Sequence, residues 1–457
     1  MRIVILGAGQ VGGTLAENLV QENNDISLVD LNENRLKELH HRLDIQTVHG
    51  SASYPSVLIE AGIEHADMLI AVTDSDEINM IGCQVAYSLF RTPTKIARIR
   101  SQHYYNYPHL FHNDHVPVDV IISPEKLVAT HIQSLITYPE ATQIFDFADG
   151  KILLGTINTS PNDMMTGKSV EQLYQVLNGA EVRIMAVFRG DQSIEASPDV
   201  VIQPGDNVLF AATPKTLQQV LTASSQHSSQ PNHRIFIAGG GHIGTSLAQA
   251  LENNYQIKIV EHNNNRASSL ASQLRKGTVL QGDIADRDLL LNENIEFADV
   301  FCAVTNDDEA NIMSCLQAKR LGARHVMALI NRPAYIELID DSAIDQAISP
   351  QQITIGCILT KLRRGNMIKV QRLQNNEAEI IELVTHGNSH TSLVVGRSLA
   401  EIPLPPGCSA AAIIRNQRVI MATPNLLIES GDHVILLSLN RRYIRQIEAL
   451  FQVSIAF

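Results

Sequence analysis

Residues 7–12 read Gly7-Ala8-Gly9-Gln10-Val11-Gly12, and residues 239–244 read Gly239-Gly240-Gly241-His242-Ile243-Gly244. Each hexamer follows a short apolar run, Ile3-Val4-Ile5-Leu6 or Ile235-Phe236-Ile237-Ala238, and each leads into a helical pattern. A lone G-x-G-x-x-G is weak evidence, but between a strand and a helix it becomes a dinucleotide-binding fingerprint. The first glycine permits a tight turn, the second lets the backbone approach a pyrophosphate, and the third lets the helix pack closely on its strand. The helix start then offers unpaired N–H groups and the positive end of its dipole to phosphates. An acidic residue ends the next strand in both copies: Asp30 after Ile26-Ser27-Leu28-Val29, and Glu261 after Ile257-Lys258-Ile259-Val260. A carboxylate there accepts hydrogen bonds from ribose hydroxyls and repels a 2′-phosphate, which favours NAD or an adenosine nucleotide over NADP. The alternative reading of either hexamer is a structural turn that holds no ligand.

The two hexamers head a longer repeat. GAGQVGGTLAENL from Gly7 returns as GGGHIGTSLAQAL from Gly239, and Val29-Asp30-Leu31-Asn32-Glu33-Asn34-Arg35 as Val260-Glu261-His262-Asn263-Asn264-Asn265-Arg266. Ala66-Asp67-Met68-Leu69-Ile70-Ala71-Val72-Thr73-Asp74 matches Ala298-Asp299-Val300-Phe301-Cys302-Ala303-Val304-Thr305-Asn306, and Asp76, Glu77 and Asn79 match Asp308, Glu309 and Asn311. A nearly constant offset over such a span marks an internal duplication. Within each half, short apolar strands alternate with helical patterns, which implies a parallel sheet covered by helices on both faces. Helices led by Pro124 and Pro350 follow, then strands, a short helix at 167–173, and turns at Pro204-Gly205-Asp206 and Ser430-Gly431-Asp432. The expected fold is α/β, with two Rossmann-like doubly wound domains, each followed by a small α+β domain. The boundaries are 1–123, a crossover helix region 124–141, 142–225, a linker 226–232, 233–349, a second crossover region 350–367, and 368–457.

The chain has 457 residues, 44% hydrophobic and 18% charged, with a formal net charge of −13. That charge argues against nucleic acid as the main partner, because phosphate backbones call for a basic face. No apolar stretch reaches the roughly 18 residues of a membrane helix, and the apolar run after Met1 is too short for a signal peptide, so a cytoplasmic protein is expected. Five cysteines form no C-x-x-C pair and read as reduced core thiols.

Further candidates lie at the strand ends. Thr73-Asp74 and Thr305-Asn306 end the fourth strand of each copy and point into the crevice, or cap the next helix. Ser51 and Asp283 follow the third strand, near where a base and ribose would lie. Arg98 and Arg100, two apart in Lys95-Ile96-Ala97-Arg98-Ile99-Arg100, fall on one side of a strand by period 2 and suit phosphates beyond the glycine loop; the other reading is a solvated basic strand end. The second half has Ala328 and Ile330 at those positions, so ATP or ADP is expected in the first site. His109, His112 and His115 are spaced like metal ligands, but the neighbouring Tyr104, Tyr105, Tyr107 and Pro108 point to a peripheral turn, and no metal site is expected. No Ser/His/Asp, Cys/His or Tyr/Lys set offers an active site.

Two such fingerprint domains, each with a crossover helix and a small α+β domain, resemble the RCK family, regulators of potassium conductance also called KTN. The likeness is strongest to peripheral regulatory subunits of Trk-type potassium uptake with a tandem N–C–N–C layout. It rests on Gly7–Gly12 with Asp30, Thr73-Asp74 and Arg98, then Gly239–Gly244 with Glu261. It implies binding of NAD(H) and ATP/ADP, and a homo-oligomeric, tetrameric ring at the inner face of the cell membrane. It further implies gating of a TrkH- or TrkG-type potassium channel subunit, without enzymatic activity. The alternative is an NAD-dependent oxidoreductase whose duplicated domains build a cleft.

Overall fold

The computed structural model describes the chain except residues 22–23, 140, 178–180, 191, 225–232, 340–342, 363–366, 374–377 and 454–457. The expected linker, 226–232, lies outside the described residues, as does part of the second crossover region. Six aliphatic runs of the first half are strands: β1 (Arg2–Leu6), β2 (Asp25–Asp30), β3 (Gln46–His49), β4 (Met68–Ala71), β5 (Thr94–Arg98) and β6 (Val120–Ile122). Between them run α1 (Gln10–Gln21), α2 (Glu33–Arg42), α3 (Pro55–Glu60), α4 (Asp76–Phe90) and α5 (Gln102–Tyr105). The strands are parallel, in the order β3-β2-β1-β4-β5-β6. Parallel neighbours need helical crossovers, which cover both faces and demand apolar strands; every residue of β4 is buried. The order reverses between β1 and β4, and such a switch point opens a crevice beyond the strands' carboxyl ends. The first glycine hexamer leaves β1 at that place.

The crossover helix α6 (Pro124–Thr137) starts on proline, whose missing N–H would be unpaired there anyway. Then come β7 (Ala141–Phe147), β8 (Ile152–Asn158), α7 (Val170–Leu177), β9 (Val182–Arg189), β10 (Gln192–Glu195), β11 (Asn207–Ala212) and α8 (Pro214–Ser224). Their antiparallel sheet has the order β10-β9-β11-β8-β7. The helix expected at 167–173 begins only at Val170, because Gly167 adopts φ +80°, outside the helical region.

The second half repeats the first. β12 (Arg234–Ala238), α9 (His242–Leu251), β13 (Gln256–Glu261), α10 (Asn264–Gln273), β14 (Thr278–Gln281) and α11 (Arg287–Asn292) lead to β15 (Val300–Ala303), α12 (Asp308–Arg320), β16 (His325–Leu329), α13 (Pro333–Ile339) and β17 (Gln346–Ile348). The sheet order, β14-β13-β12-β15-β16-β17, is that of the first half. The crossover helix α14 (Pro350–Leu362) precedes β18 (Met367–Arg372), β19 (Glu379–Val384), β20 (Cys408–Arg415), β21 (Arg418–Met421), β22 (His433–Ser438) and α15 (Ile444–Phe451), whose strands order as β18-β19-β22-β20-β21. The expected fold class is the observed one.

By contacts the chain divides into two compact units. The first holds Met1–Val128 with Ile330–Ala334 and Ile348–Ile358; the second holds Ala129–Leu329, Tyr335–Ala347 and Leu359–Phe457. Inside the second unit the two antiparallel sheets bury a common apolar layer, with Phe147, Leu154 and Leu209 in one cluster with Ile380, Ile435 and Leu437. The cysteines carry free thiols, all buried except the half-buried Cys357. Burial pushes the Cys83 and Cys315 thiols up to about 12, which keeps them protonated and unreactive. Among the described residues no helix is long and apolar enough to cross a membrane.

Each small domain closes its turn with one clasp. Arg189 donates to both Asp206 oxygens at 2.8 Å and to the Val201 carbonyl, while the Gln203 N–H donates to Asp206 at 2.7 Å. Arg415, Asp432, Leu427 and Glu429 reproduce it. Burial pushes the Asp206 carboxyl up, but the Arg189 bond, the Gln203 N–H and the Arg189 charge outweigh it and hold the group below its ordinary value. Asp206→Ala, which leaves those donors unmatched, should cost about 1–3 kcal/mol in urea denaturation at neutral pH. Because the folded value is lowered, the stabilisation is complete above about pH 4 and lost as pH falls through that folded value. The gap between wild type and variant should therefore close in acid.

Candidate functional site

In the loop after β1, Gly7 has φ +102°, and a Cβ there would lie 3.0 Å from the Thr73 backbone. A Cβ on Gly12 would lie 1.8 Å from the Gly7 carbonyl oxygen, and one on Gly244 1.9 Å from that of Gly239. These glycines are required by the protein itself. Gly9 and Gly241 are not: among the described residues a Cβ on either meets nothing within 4 Å, and neither backbone is left-handed. Their bare Cα atoms face open space. The Gly241 N-cap of α9 makes no side-chain capping bond, so the helix start stays open to an acceptor. Ala8 is buried, Val11 and Ile243 are half-buried, and Gln10 and His242 are exposed.

The acidic residues close on these loops. Asp30 accepts the Ala8 N–H at 2.6 Å and the Asn32 N–H at 2.7 Å, one on each oxygen. Glu261 accepts the Gly240 N–H at 2.9 Å and the Asn263 N–H at 2.7 Å. The exchange of Ala8 for Gly240 now has a reason: a Cβ on Gly240 would stand 2.9 Å from a Glu261 carboxylate oxygen. The extra methylene of glutamate fills the place that a methyl group holds in the first copy. Each carboxylate oxygen retains a second lone pair.

The sequence did not reveal Asn79 and Asn311 as site residues, although both stood in the repeat. Asn79 is fully buried, and its amide uses all its hydrogen-bonding capacity. Oδ1 accepts the Thr73 N–H at 2.9 Å and the Thr73 hydroxyl at 2.7 Å; Nδ2 donates to the carbonyls of Thr73 at 3.3 Å and Arg98 at 2.8 Å. Asn311 makes the same four bonds to Thr305 and Leu329. This amide ties the ends of the fourth and fifth strands on one side of the crevice. Thr73 and Thr305 belong to that tie; the N-caps of α4 and α12 are Ser75 and Asp307.

The arginines differ from the sequence expectation. β5 ends at Arg98, because the Asp76 carboxylate draws the Arg100 and Ser101 N–H groups away from the sheet at 2.8–3.0 Å. Period 2 therefore does not extend to Arg100, whose Nε lies 4.0 Å from Asp76. Arg98 Nη2 stands 3.6 Å from Glu125 Oε1. Among the described residues Arg98 Nε and Glu125 Oε2 are buried without a hydrogen-bond partner. Burial lowers the Arg98 pKa, against the pull of Glu125. Strand pairing also corrects the second-half equivalents: Ala97 pairs Ala71 and Ala328 pairs Ala303, so Leu329 and Asn331 occupy the places of Arg98 and Arg100. Ser51 bonds Ser53 at 3.0 Å, Asp283 accepts the Ala285 N–H at 2.9 Å, and Asp74 is exposed. His109 and His112 stack at 6.3 Å beside a 3-10 turn, Pro108–Phe111.

TrkA-N domains match residues 3–124 and 235–350, and TrkA-C domains match residues 156–223 and 389–452. The Trk system potassium uptake protein TrkA of Halomonas elongata is 47% identical over 457 residues, covering 100% of each chain. That of Vibrio alginolyticus is 46% identical over 455 residues, covering 99% of each. The crystal structure of the GsuK RCK domain superposes with a TM-score of 0.62 at 18% identity, over 98% of this chain and 94% of that one. At that identity the solved structure bears on the fold alone.

Glycine substitutions separate the two kinds of position. Gly12→Ala drives a methyl group into the Gly7 carbonyl and should lose about 3 kcal/mol or more of stability. Gly9→Ala should stay within about 1 kcal/mol of wild type. Urea denaturation of both variants checks the contrast.

Proposed function

The chain belongs to the TrkA family of potassium-uptake proteins, and from that premise we propose that it is a nucleotide-binding regulatory subunit controlling a membrane potassium channel subunit. The observation that carries the reading is the pair Gly9 and Gly241, glycines for which nothing among the described residues calls. Such positions suit close approach of a pyrophosphate at a helix start, with Asp30 or Glu261 taking ribose hydroxyls and disfavouring a 2′-phosphate. NAD(H) fits both loops on these grounds. GsuK, a channel of this fold, has been solved bound to NAD and bound to ADP, the ligand classes proposed here.

ATP and ADP suit the first site, where Arg98 ends β5 and Arg100 follows it, and Leu329 and Asn331 take those places in the second half. A guanidinium with an unbonded Nε has capacity for a phosphate oxygen. In this reading ATP and ADP favour different arrangements of a homo-oligomeric ring, by the difference in their affinity for the two. The ring would sit at the cytoplasmic face of the membrane beneath a TrkH- or TrkG-type channel subunit. We read the chain as a regulator rather than an oxidoreductase because its relatives are named as potassium uptake proteins. In addition, Thr73, Asn79 and Asp76 are engaged in holding the backbone beside the crevice.

Titration calorimetry tests this. Gly9→Ala, which the fold accommodates, should weaken NADH and ATP at the first site at least about tenfold, a loss of ~1.4 kcal/mol. Arg98→Ala should bring ATP and ADP affinities together while leaving NADH within about threefold. Equal ligand affinities in wild type and Gly9→Ala would sink the nucleotide reading, and steady NADH oxidation with a small substrate would favour the oxidoreductase.

A further inference from the structure

The crossover helices α6 and α14 begin alike, Ser123-Pro124-Glu125 and Ser349-Pro350-Gln351, yet the third residue differs in a way that matters chemically. Gln351 is 8% exposed. Its Nε2 donates to the main-chain oxygen of Gln10 at 3.0 Å and to the Thr14 hydroxyl. A carbonyl can only accept, so the amide nitrogen must face it. Both acceptors lie in the first two turns of α1, the helix that starts at the first glycine loop. A side chain 341 residues further along the chain thus holds the helix end to which a nucleotide would bind. Gln351 belongs to the same compact unit as that loop, whereas α14 from Leu359 onward belongs to the other unit.

We propose that Gln351 is a positioning residue of the first nucleotide site, supplied by the second half, and that it couples occupancy of the first glycine loop to the second crossover helix α14. The proposal rests on the nucleotide reading of that loop. Anything that binds the N–H groups at the start of α1 acts on the segment that Gln351 grips, so ligand and amide are linked through one turn of helix. The linkage is one-sided. Glu125 holds the equivalent place in α6, and a carboxylate cannot donate to a helix carbonyl; it faces Arg98 instead. The first crossover helix therefore lacks the chemistry to grip α9 in the same way.

Hydrogen exchange on the full-length protein, with and without saturating NADH, tests the coupling. In wild type NADH should slow exchange across residues 351–362 by about three- to tenfold, the scale of one hydrogen bond. The effect should be diminished in Gly9→Ala at an NADH concentration that fills the wild-type loop and leaves the weakened loop mostly empty. Because the linkage is reciprocal, Gln351→Leu and the near-isosteric Gln351→Glu should weaken NADH about three- to tenfold and, once saturated with NADH, show less than about twofold slowing over 351–362. Thr14→Val should add nothing to Gln351→Leu, since the two act through one contact. If the leucine variant fails to fold, the glutamate variant decides. Undiminished protection in Gln351→Glu overturns the coupling, as does NADH binding to wild type without any change over 351–362. Absence of NADH binding to wild type overturns the nucleotide reading itself.

Discussion

Gly12 passes so close to the Gly7 carbonyl that no methyl group fits between them, and the geometry of each site follows from that approach. It brings the start of α1 directly over the end of β1, at the strand-order reversal where the sheet opens. A larger residue would lift the helix, and its free N–H groups would no longer face the crevice. The duplicate, Gly244 against Gly239, keeps the same separation to within 0.1 Å. Everything else at the site adjusts to this fixed point. Asp30 and Glu261 anchor the loop from the neighbouring strand, while Asn79 and Asn311 hold the opposite wall.

These supports show how sterics and hydrogen bonding trade places between the halves. Aspartate with alanine and glutamate with glycine are two fillings of one volume, both ending with a carboxylate on the same backbone N–H. A buried amide with two donors and two acceptors all engaged is rigid, because losing any bond leaves a buried polar atom unmatched. The walls of the crevice are therefore rigid in themselves, and a ligand entering it would require little further ordering.

Much of this was legible in the sequence because it depends on local pattern. Strand and helix periodicities, the glycine spacing and the acidic strand ends are short-range, and the duplication allowed each to be read twice. What escaped depends on where chains meet. The termination of β5 at Arg98 follows from Asp76, which lies 24 residues from Arg100 and shows no periodicity. The tie made by Asn79 was visible only as a repeated letter. Another exchange was hidden altogether. Asp119 accepts the Lys95 N–H and ammonium at 2.6 and 2.8 Å, whereas Asp345 accepts the Val326 N–H and the Lys319 ammonium at 2.7 and 2.8 Å. By strand pairing Val326 stands where Lys95 does, so the cation has moved from strand to helix. Alignment of letters cannot show that one charge role is filled from two positions.

The same reasoning applies to the difference between the two glycine loops. In the first half an arginine ends β5 and a glutamate opens the crossover helix; in the second half Leu329 and Gln351 replace them together. A buried carboxylate without a cation is costly, so the loss of the arginine removes the reason for a carboxylate at the crossover position. The neutral amide that stands there keeps the size of glutamate but adds two donors. Those donors are what the carbonyl of Gln10 and the hydroxyl of Thr14 receive. Divergence at one site thus provides the group that grips the other. A duplicated chain can couple its halves in this manner because both copies of the crossover helix travel in one polypeptide and need not remain identical.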